Sequence, residues 1–245
     1  NSTTNACAPI PQFYWEIGDK NMVKVSGRKG TDFGRDTQVS IASATKLMYA
    51  AYVVQGTKDF PKEHYQYLNF TSGYTNFKGF CEQDESVNSC LVNNGGDALN
   101  IATIGLYSYG GGHMQKLASL TGLGNDNSIT LAAKFNTTLG TDIRFTQPLP
   151  SGGAVTSAKD YAGFLQKIIQ NNLYINSYLG QKAVCTDPLT CVTAINSPAS
   201  PRTFSYSLGH WVETSTDGAF SSGGASGFYP WINANKTHYG IISRE

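Results

Sequence analysis

Charge is scarce in this chain: 18 lysines and arginines against 17 aspartates and glutamates are 14% of 245 residues, for a formal net charge of +1. So even a balance gives no electrostatic footprint for nucleic acid or for an anionic membrane surface, and no basic run supplies one locally. No stretch of about 18 consecutive apolar residues occurs, so no segment reads as membrane-spanning. Internal repeats and low-complexity linkers are also missing. The chain has no initiating methionine and opens on the polar run Asn1-Ser2-Thr3-Thr4-Asn5, as a mature protein does once a targeting segment has been removed or a chain does once trimmed for expression. The expectation is an exported protein, periplasmic or secreted.

What is present suits a globular fold. Hydrophobic residues make up 40% of the chain and glycines number 26, enough for a sizeable core in a single domain over residues 1–245. Five cysteines fall as two close pairs, Cys81 with Cys90 and Cys185 with Cys191, and a lone Cys7. Two short disulfide loops, Cys81-Cys90 and Cys185-Cys191, fit that spacing, with reduced thiols as the alternative; oxidised pairs would place the chain in an oxidising compartment. Cys7 is then a free thiol or an intermolecular partner. Zinc is disfavoured, because neither pair has knuckle spacing and the four histidines, His64, His113, His210 and His238, lie elsewhere in the sequence. No metal and no cofactor is expected.

The order of elements points to an α+β fold. Runs 12–16 and 22–26 read as strands about the turn Gly18-Asp19-Lys20-Asn21, an antiparallel hairpin. Helices are expected over 45–55, 97–106, 112–121 and 157–171, the last with apolar residues at helical spacing and Ser157 as its cap. Residues 204–213, 219–222, 227–233 and 238–243 read as an antiparallel meander separated by turn residues such as Asp217-Gly218. Strands, then helices, then strands imply one antiparallel sheet built from both chain ends, with helices packed on it and a helical and loop subdomain, about 56–150, inserted between.

The segment with the most chemistry is Ile41-Ala42-Ser43-Ala44-Thr45-Lys46. On a helix, positions i and i+3 share a face. A serine hydroxyl is a weak nucleophile until a base lies within hydrogen-bond reach, and an amine withdrawn from water is one such base. Ser43 and Lys46 are therefore a candidate nucleophile and base.

Several segments, in the right order, resemble the serine β-lactamase and penicillin-binding protein superfamily, in particular its class C-type esterase and peptidase branch. Residues Arg35 to Lys46 resemble the family's Ser-x-x-Lys segment. Leu68-Asn69-Phe70-Thr71-Ser72-Gly73-Tyr74 is similar to its L-x-x-H-T-S-G segment, with Phe70 where a histidine is usual. Tyr107-Ser108-Tyr109-Gly110-Gly111-Gly112 resembles the Tyr-Ser-Asn box, and Leu149 to Asp160 resembles the Gly-Gly segment that leads into a helix. Tyr206 to Trp211 and Ser221 to Phe228 resemble the paired strands beside the active site.

The resemblance implies a fold, a mechanism and a set of site residues. Ser43 would be acylated and then released by water, with Lys46 and Tyr107 as the acid and base pair, the division of labour between them open. The oxyanion hole would be the backbone N–H groups of Ser43 and Ala225. Tyr109, Ser222, Gly223, Gly224 and Phe228 would contact substrate, with Tyr229, Trp231 and Trp211 as a further aromatic group; His113 and His210 read as structural. Two departures stand out. Tyr109 occupies the place of the box asparagine, and Ser222-Gly223-Gly224 replaces the Lys-Thr-Gly or His-x-Gly of the family. The cation that pairs with a substrate carboxylate is thus missing unless Arg202, Lys236 or His210 reaches in. The implied substrate is a small neutral ester or amide, or a peptide-like compound. A catalytically weak or inactive binding module is the alternative, and a true β-lactamase or D,D-carboxypeptidase the third.

Overall fold

The computed structural model describes residues 9–57 and 60–245; Cys7 lies outside them. The chain begins with a hairpin, β1 (Phe13–Asp19) and β2 (Val23–Lys29). A short strand β3 (Val39–Ser40) and a 3₁₀ turn (Ala42–Ala44) lead into helix α1 (Thr45–Gly56). Next come α2 (His64–Leu68), α3 (Val87–Asn93), β4 (Tyr107–Ser108), α4 (Gly112–Leu120) and α5 (Ser128–Leu139). Strands β5 (Arg144–Phe145) and β6 (Ala154–Thr156) precede α6 (Ala158–Ile169) and α7 (Ile175–Tyr178). The chain ends in β7 (Val184–Cys185), β8 (Ala194–Asn196), β9 (Ser205–Ser207), β10 (His210–Val212), β11 (Phe220–Ser221), β12 (Tyr229–Ile232) and β13 (His238–Ser243).

Both chain ends complete one eight-stranded antiparallel sheet, in the order β2-β1-β13-β12-β11-β10-β9-β7. The closing pair is β1 against β13, from Tyr14 opposite Ser243 to Asp19 opposite His238. Helix α6 lies on β13 and β1. Its inward stripe of Ala158, Tyr161, Ala162, Phe164, Leu165 and Ile168 is buried, and the Ser157 hydroxyl caps its first turn by accepting from Asp160 N–H at 3.1 Å. Helix α1 is sunk in the core on nearly every side, which is why its sequence shows apolar character all round rather than a stripe.

The buried face of β1 carries a carboxylate, Glu16, fully shielded from water. It accepts hydrogen bonds from Tyr14 Oη, Tyr239 Oη and Arg35 Nε, each at 2.8 Å. A buried charge persists only with such partners, and these three tie β1, β13 and the segment before β3 together.

Several elements differ from the sequence reading. The expected helix over 97–106 is a loop with one 3₁₀ turn, Ile101–Thr103; Asn100 N–H bonds Gly73 O and Gly105 N–H bonds Thr71 O, so its backbone is satisfied by another loop. The expected strand 204–213 is a hairpin of β9 and β10, folded at Leu208 (φ +33°) and Gly209 (φ +77°). Both cysteine pairs are joined, Cys81 to Cys90 and Cys185 to Cys191. Among the described residues no helix is long and apolar enough to cross a membrane.

Candidate active site

Ser43 sits in the 3₁₀ turn just before α1, and Lys46 in the first turn of that helix. Lys46 Nζ lies 2.8 Å from Ser43 Oγ and donates to the backbone carbonyl of Ser151 at 2.7 Å. Its side chain is 5% exposed. The spacing read from sequence is thus realised as a direct contact, and the second acceptor comes from the Gly-Gly segment, more than a hundred residues downstream. No sequence signal marks a backbone carbonyl for this role. Ser151 is held against the Tyr109–His113 turn: a Cβ on Gly111 would stand 2.6 Å from Ser151 Oγ, so the contact requires glycine there.

The nucleophile turn is held from three sides. Ala42, immediately before Ser43, has φ +43°, a left-handed conformation that costs a non-glycine residue about 1–3 kcal/mol and persists only where the surroundings impose it. From α6, the Tyr161 hydroxyl donates to Ala44 O at 2.9 Å. From the β11–β12 hairpin, Ser222 Oγ donates to Ser43 O at 3.4 Å and Ser226 Oγ to Ser40 O at 2.9 Å. A Cβ on Gly224 would fall 2.3 Å from Ile41 O. Any larger residue at 224 would push the hairpin off the turn that carries Ser43.

A cavity of about 330 Å³ opens over Ser43, lined also by Tyr109, Arg202, Phe204, Trp211, Gly223, Gly224, Ala225 and Tyr229. Of the expected substrate contacts, Tyr109, Gly223 and Gly224 line it, and Ser43 and Ala225 share it. Ser222 does not; it is buried and bonds the Ser43 carbonyl, and Ser221 lines the wall instead. Phe228 is also a core residue, fully buried and edge-on to Tyr161 at 5.2 Å between ring centres. Trp211 and Tyr229 reach the cavity from the aromatic group; Trp231 does not.

The two tyrosines of the Tyr-Ser-Tyr segment part company. Tyr107 is 1% exposed, and its hydroxyl has no hydrogen-bond partner, so it bonds neither Ser43 nor Lys46. Its ring lies among Phe70, Tyr206 and Trp211, and burial pushes its phenol far above the ordinary range. Of the two, Tyr109 is the one on the cavity wall. It lines the cavity, its ring stacks on Trp211 at 5.5 Å, and Lys46 Nζ lies 5.0 Å from its ring centre.

Among the three cations considered for the missing family lysine, only Arg202 lines the cavity. Lys236 donates to Asn176 O at 2.6 Å. His210 is fully buried, its Nε2 accepting from Gly180 N–H at 3.0 Å, and burial holds its imidazole down at about 4. Arg202 is exposed, on the loop before β9.

No sequence family matches the chain, and no curated protein matches it. Solved structures do. A provisionally assigned β-lactamase from Bacteroides dorei superposes with a TM-score of 0.71 at 22% identity, over 96% of this chain and 85% of that one. A penicillin-binding protein from Bacillus halodurans gives 0.66 at 11% identity, over 94% and 90% of the two chains. A D-stereospecific amidohydrolase from Streptomyces gives 0.64 at 14% identity, over 96% and 89%. These identities carry the architecture rather than the activity. The chain has the fold of the serine β-lactamase and penicillin-binding protein superfamily.

Proposed function

We propose that this protein is an exported serine acyl hydrolase that forms an acyl-enzyme on Ser43 and hydrolyses a small ester or amide. The contact of Lys46 Nζ with Ser43 Oγ at 2.8 Å, at the edge of an open cavity, carries the reading. Ser43 Oγ attacks the substrate carbonyl carbon as its proton passes to Lys46 Nζ, which acts in its neutral amine form. The oxyanion develops beside Ser43 and Ala225, which both line the cavity, and their backbone N–H groups stabilise it, a contribution commonly worth about 3 kcal/mol per donor. Collapse breaks the bond to the alcohol or amine, which leaves with the proton held by Lys46, relayed through Tyr109. Water then attacks the acyl-enzyme, gives its proton to the same pair, and releases the acid and Ser43.

Tyr109 takes the acid and base role that the family box suggested for Tyr107, because it lines the cavity with Lys46 Nζ 5.0 Å from its ring centre while the Tyr107 hydroxyl is buried without a partner. Arg202 widens the substrate class beyond neutral esters, since its guanidinium can hold an anionic group on the substrate. The two disulfides support an oxidising compartment. Turnover of p-nitrophenyl acetate and butyrate, compared in wild type and Ser43→Ala, tests the reading; a fluorescent penicillin run alongside tests the β-lactamase and peptidase option. Turnover that vanishes in Ser43→Ala is expected. Equal turnover in the two proteins would overturn the proposal, and no turnover in folded wild type would leave a binding module.

A further inference from the structure

The peptide before Tyr109 is tied down: every polar atom of Ser108 is engaged. Ser108 N–H donates to Phe70 O at 3.0 Å, and Ser108 Oγ accepts from Asn196 Nδ2 at 3.2 Å. The remaining atom, Ser108 O, pairs with His113 Nε2 at 3.1 Å. A carbonyl oxygen only accepts, so Nε2 carries the proton and Nδ1 is bare. Nδ1 therefore accepts from Ser72 Oγ, at 2.7 Å. The His113 ring is fully buried, and Phe70 covers it in a stacked contact at 5.4 Å. Phe70 in turn meets the Tyr109 ring edge-on at 5.3 Å.

We propose that His113 is a positioning residue for Tyr109: its ring pins the Ser108–Tyr109 peptide and so keeps the phenol in the cavity beside Lys46. The chain of contacts runs Ser72 Oγ–H to His113 Nδ1, then His113 Nε2–H to Ser108 O, and links the loop after α2 to the start of α4 through the strand β4 that leads into Tyr109. The sequence departs from the family pattern at the same place. Phe70 stands where the resembled segment has histidine, and the histidine supplied by α4 stacks on that phenylalanine. Burial holds the His113 imidazole down at about 4, in keeping with a neutral ring that donates at one nitrogen and accepts at the other.

The proposal rests on the reading of Tyr109 as the proton carrier, and a double-mutant cycle separates the two. Tyr109→Phe, His113→Ala and the double variant are assayed for kcat and KM with p-nitrophenyl acetate, with thermal unfolding as the folding control. His113→Ala is expected to lower kcat by roughly ten- to a hundredfold with KM little changed, as misplacing a catalytic group does. The double variant is expected to lose no more than Tyr109→Phe alone. His113→Gln, which keeps a donor and an acceptor, is expected to recover most of the rate. Losses that multiply in the double variant, or an unchanged kcat in folded His113→Ala, would overturn the positioning role. If His113→Ala does not fold, Ser72→Ala supplies the same comparison with the ring left in place. A crystal structure of the variant reads the position directly: the Tyr109 ring is expected to leave its stack on Trp211, and an unmoved ring would refute the proposal even if wild type shows no turnover. Loss of the Tyr109→Phe effect, with Ser43→Ala still inactive, would instead refute the Tyr109 assignment.

Discussion

Tyr107→Phe and Tyr109→Phe remove one oxygen each, two residues apart, and the structure predicts opposite results. The Tyr107 hydroxyl is buried without a partner, and an unsatisfied buried group costs about 1–3 kcal/mol. Replacing it with hydrogen removes that penalty but leaves a small void, which takes back part of the gain. A net gain of about 1 kcal/mol corresponds to a rise in Tm of roughly 2–4 °C for a chain of this size. Activity is expected to stay within about twofold, since the phenol touches neither Ser43 nor Lys46. Tyr109→Phe, by contrast, removes the phenol from the cavity wall. Loss of a general acid or base costs about 10²–10⁴ in rate, or about 3–5 kcal/mol of transition-state stabilisation. Differential scanning fluorimetry and ester turnover on the two variants decide the matter. A Tyr107→Phe protein that loses activity as severely as Tyr109→Phe would refute the assignment, and a lowered Tm for it would refute the orphaned-hydroxyl argument.

Lys46→Met keeps length and burial but removes both bonds of Nζ; kcat/KM is expected to fall by about 10²–10⁴, while the orphaned Ser151 carbonyl costs only about 1–3 kcal/mol of stability. A folded Lys46→Met protein within tenfold of wild-type activity would exclude Lys46 from the chemistry. His113 and His210 are held at about 4 in the fold, below the ordinary 6.5, so the unfolded chain binds protons first and acid destabilises the fold between roughly pH 6.5 and 4. Each contributes up to about 3 kcal/mol across that window, measurable as a falling urea midpoint, and His210→Gln is expected to flatten the slope. Cys81 and Cys90, both buried, close a short loop, and a Cys81→Ser, Cys90→Ser pair is expected to lower stability by about 2–3 kcal/mol; an unchanged denaturation midpoint would show the bond to be dispensable.

How far the sequence is readable depends on the range of the interaction. The Ser43 and Lys46 contact is local, three residues apart at a helix start, and helical spacing reveals it. The sheet closed by β1 and β13 is readable from strand-forming runs at both ends, and α6 from its apolar stripe. The choice between Tyr107 and Tyr109 is not local: both rings meet Phe70, Tyr206 and Trp211, and only the tertiary packing buries Tyr107 while leaving Tyr109 on the cavity wall. Ser151 and Arg202 belong to the site through tertiary approach alone. Helix α5 is a different case, since its signals are present in the chain. Asn127 caps it with Thr130, Leu131 and Phe135 and Leu139 face inward, and Gly140 ends it at φ +62°; the sequence reading passed over them. The helix expected over 97–106 fails in the other direction: Ile101 and Ile104 are exposed on a loop whose backbone bonds Thr71 and Gly73.

The central claim is an activated Ser43, and intact-protein mass spectrometry after exposure to a fluorophosphonate tests it most directly. The account predicts a single adduct on wild type, mapped by peptide digestion to Ser43, absent from Ser43→Ala and formed far more slowly in Lys46→Met. Folded wild-type protein that takes no adduct, or an adduct that persists in Ser43→Ala, would contradict it.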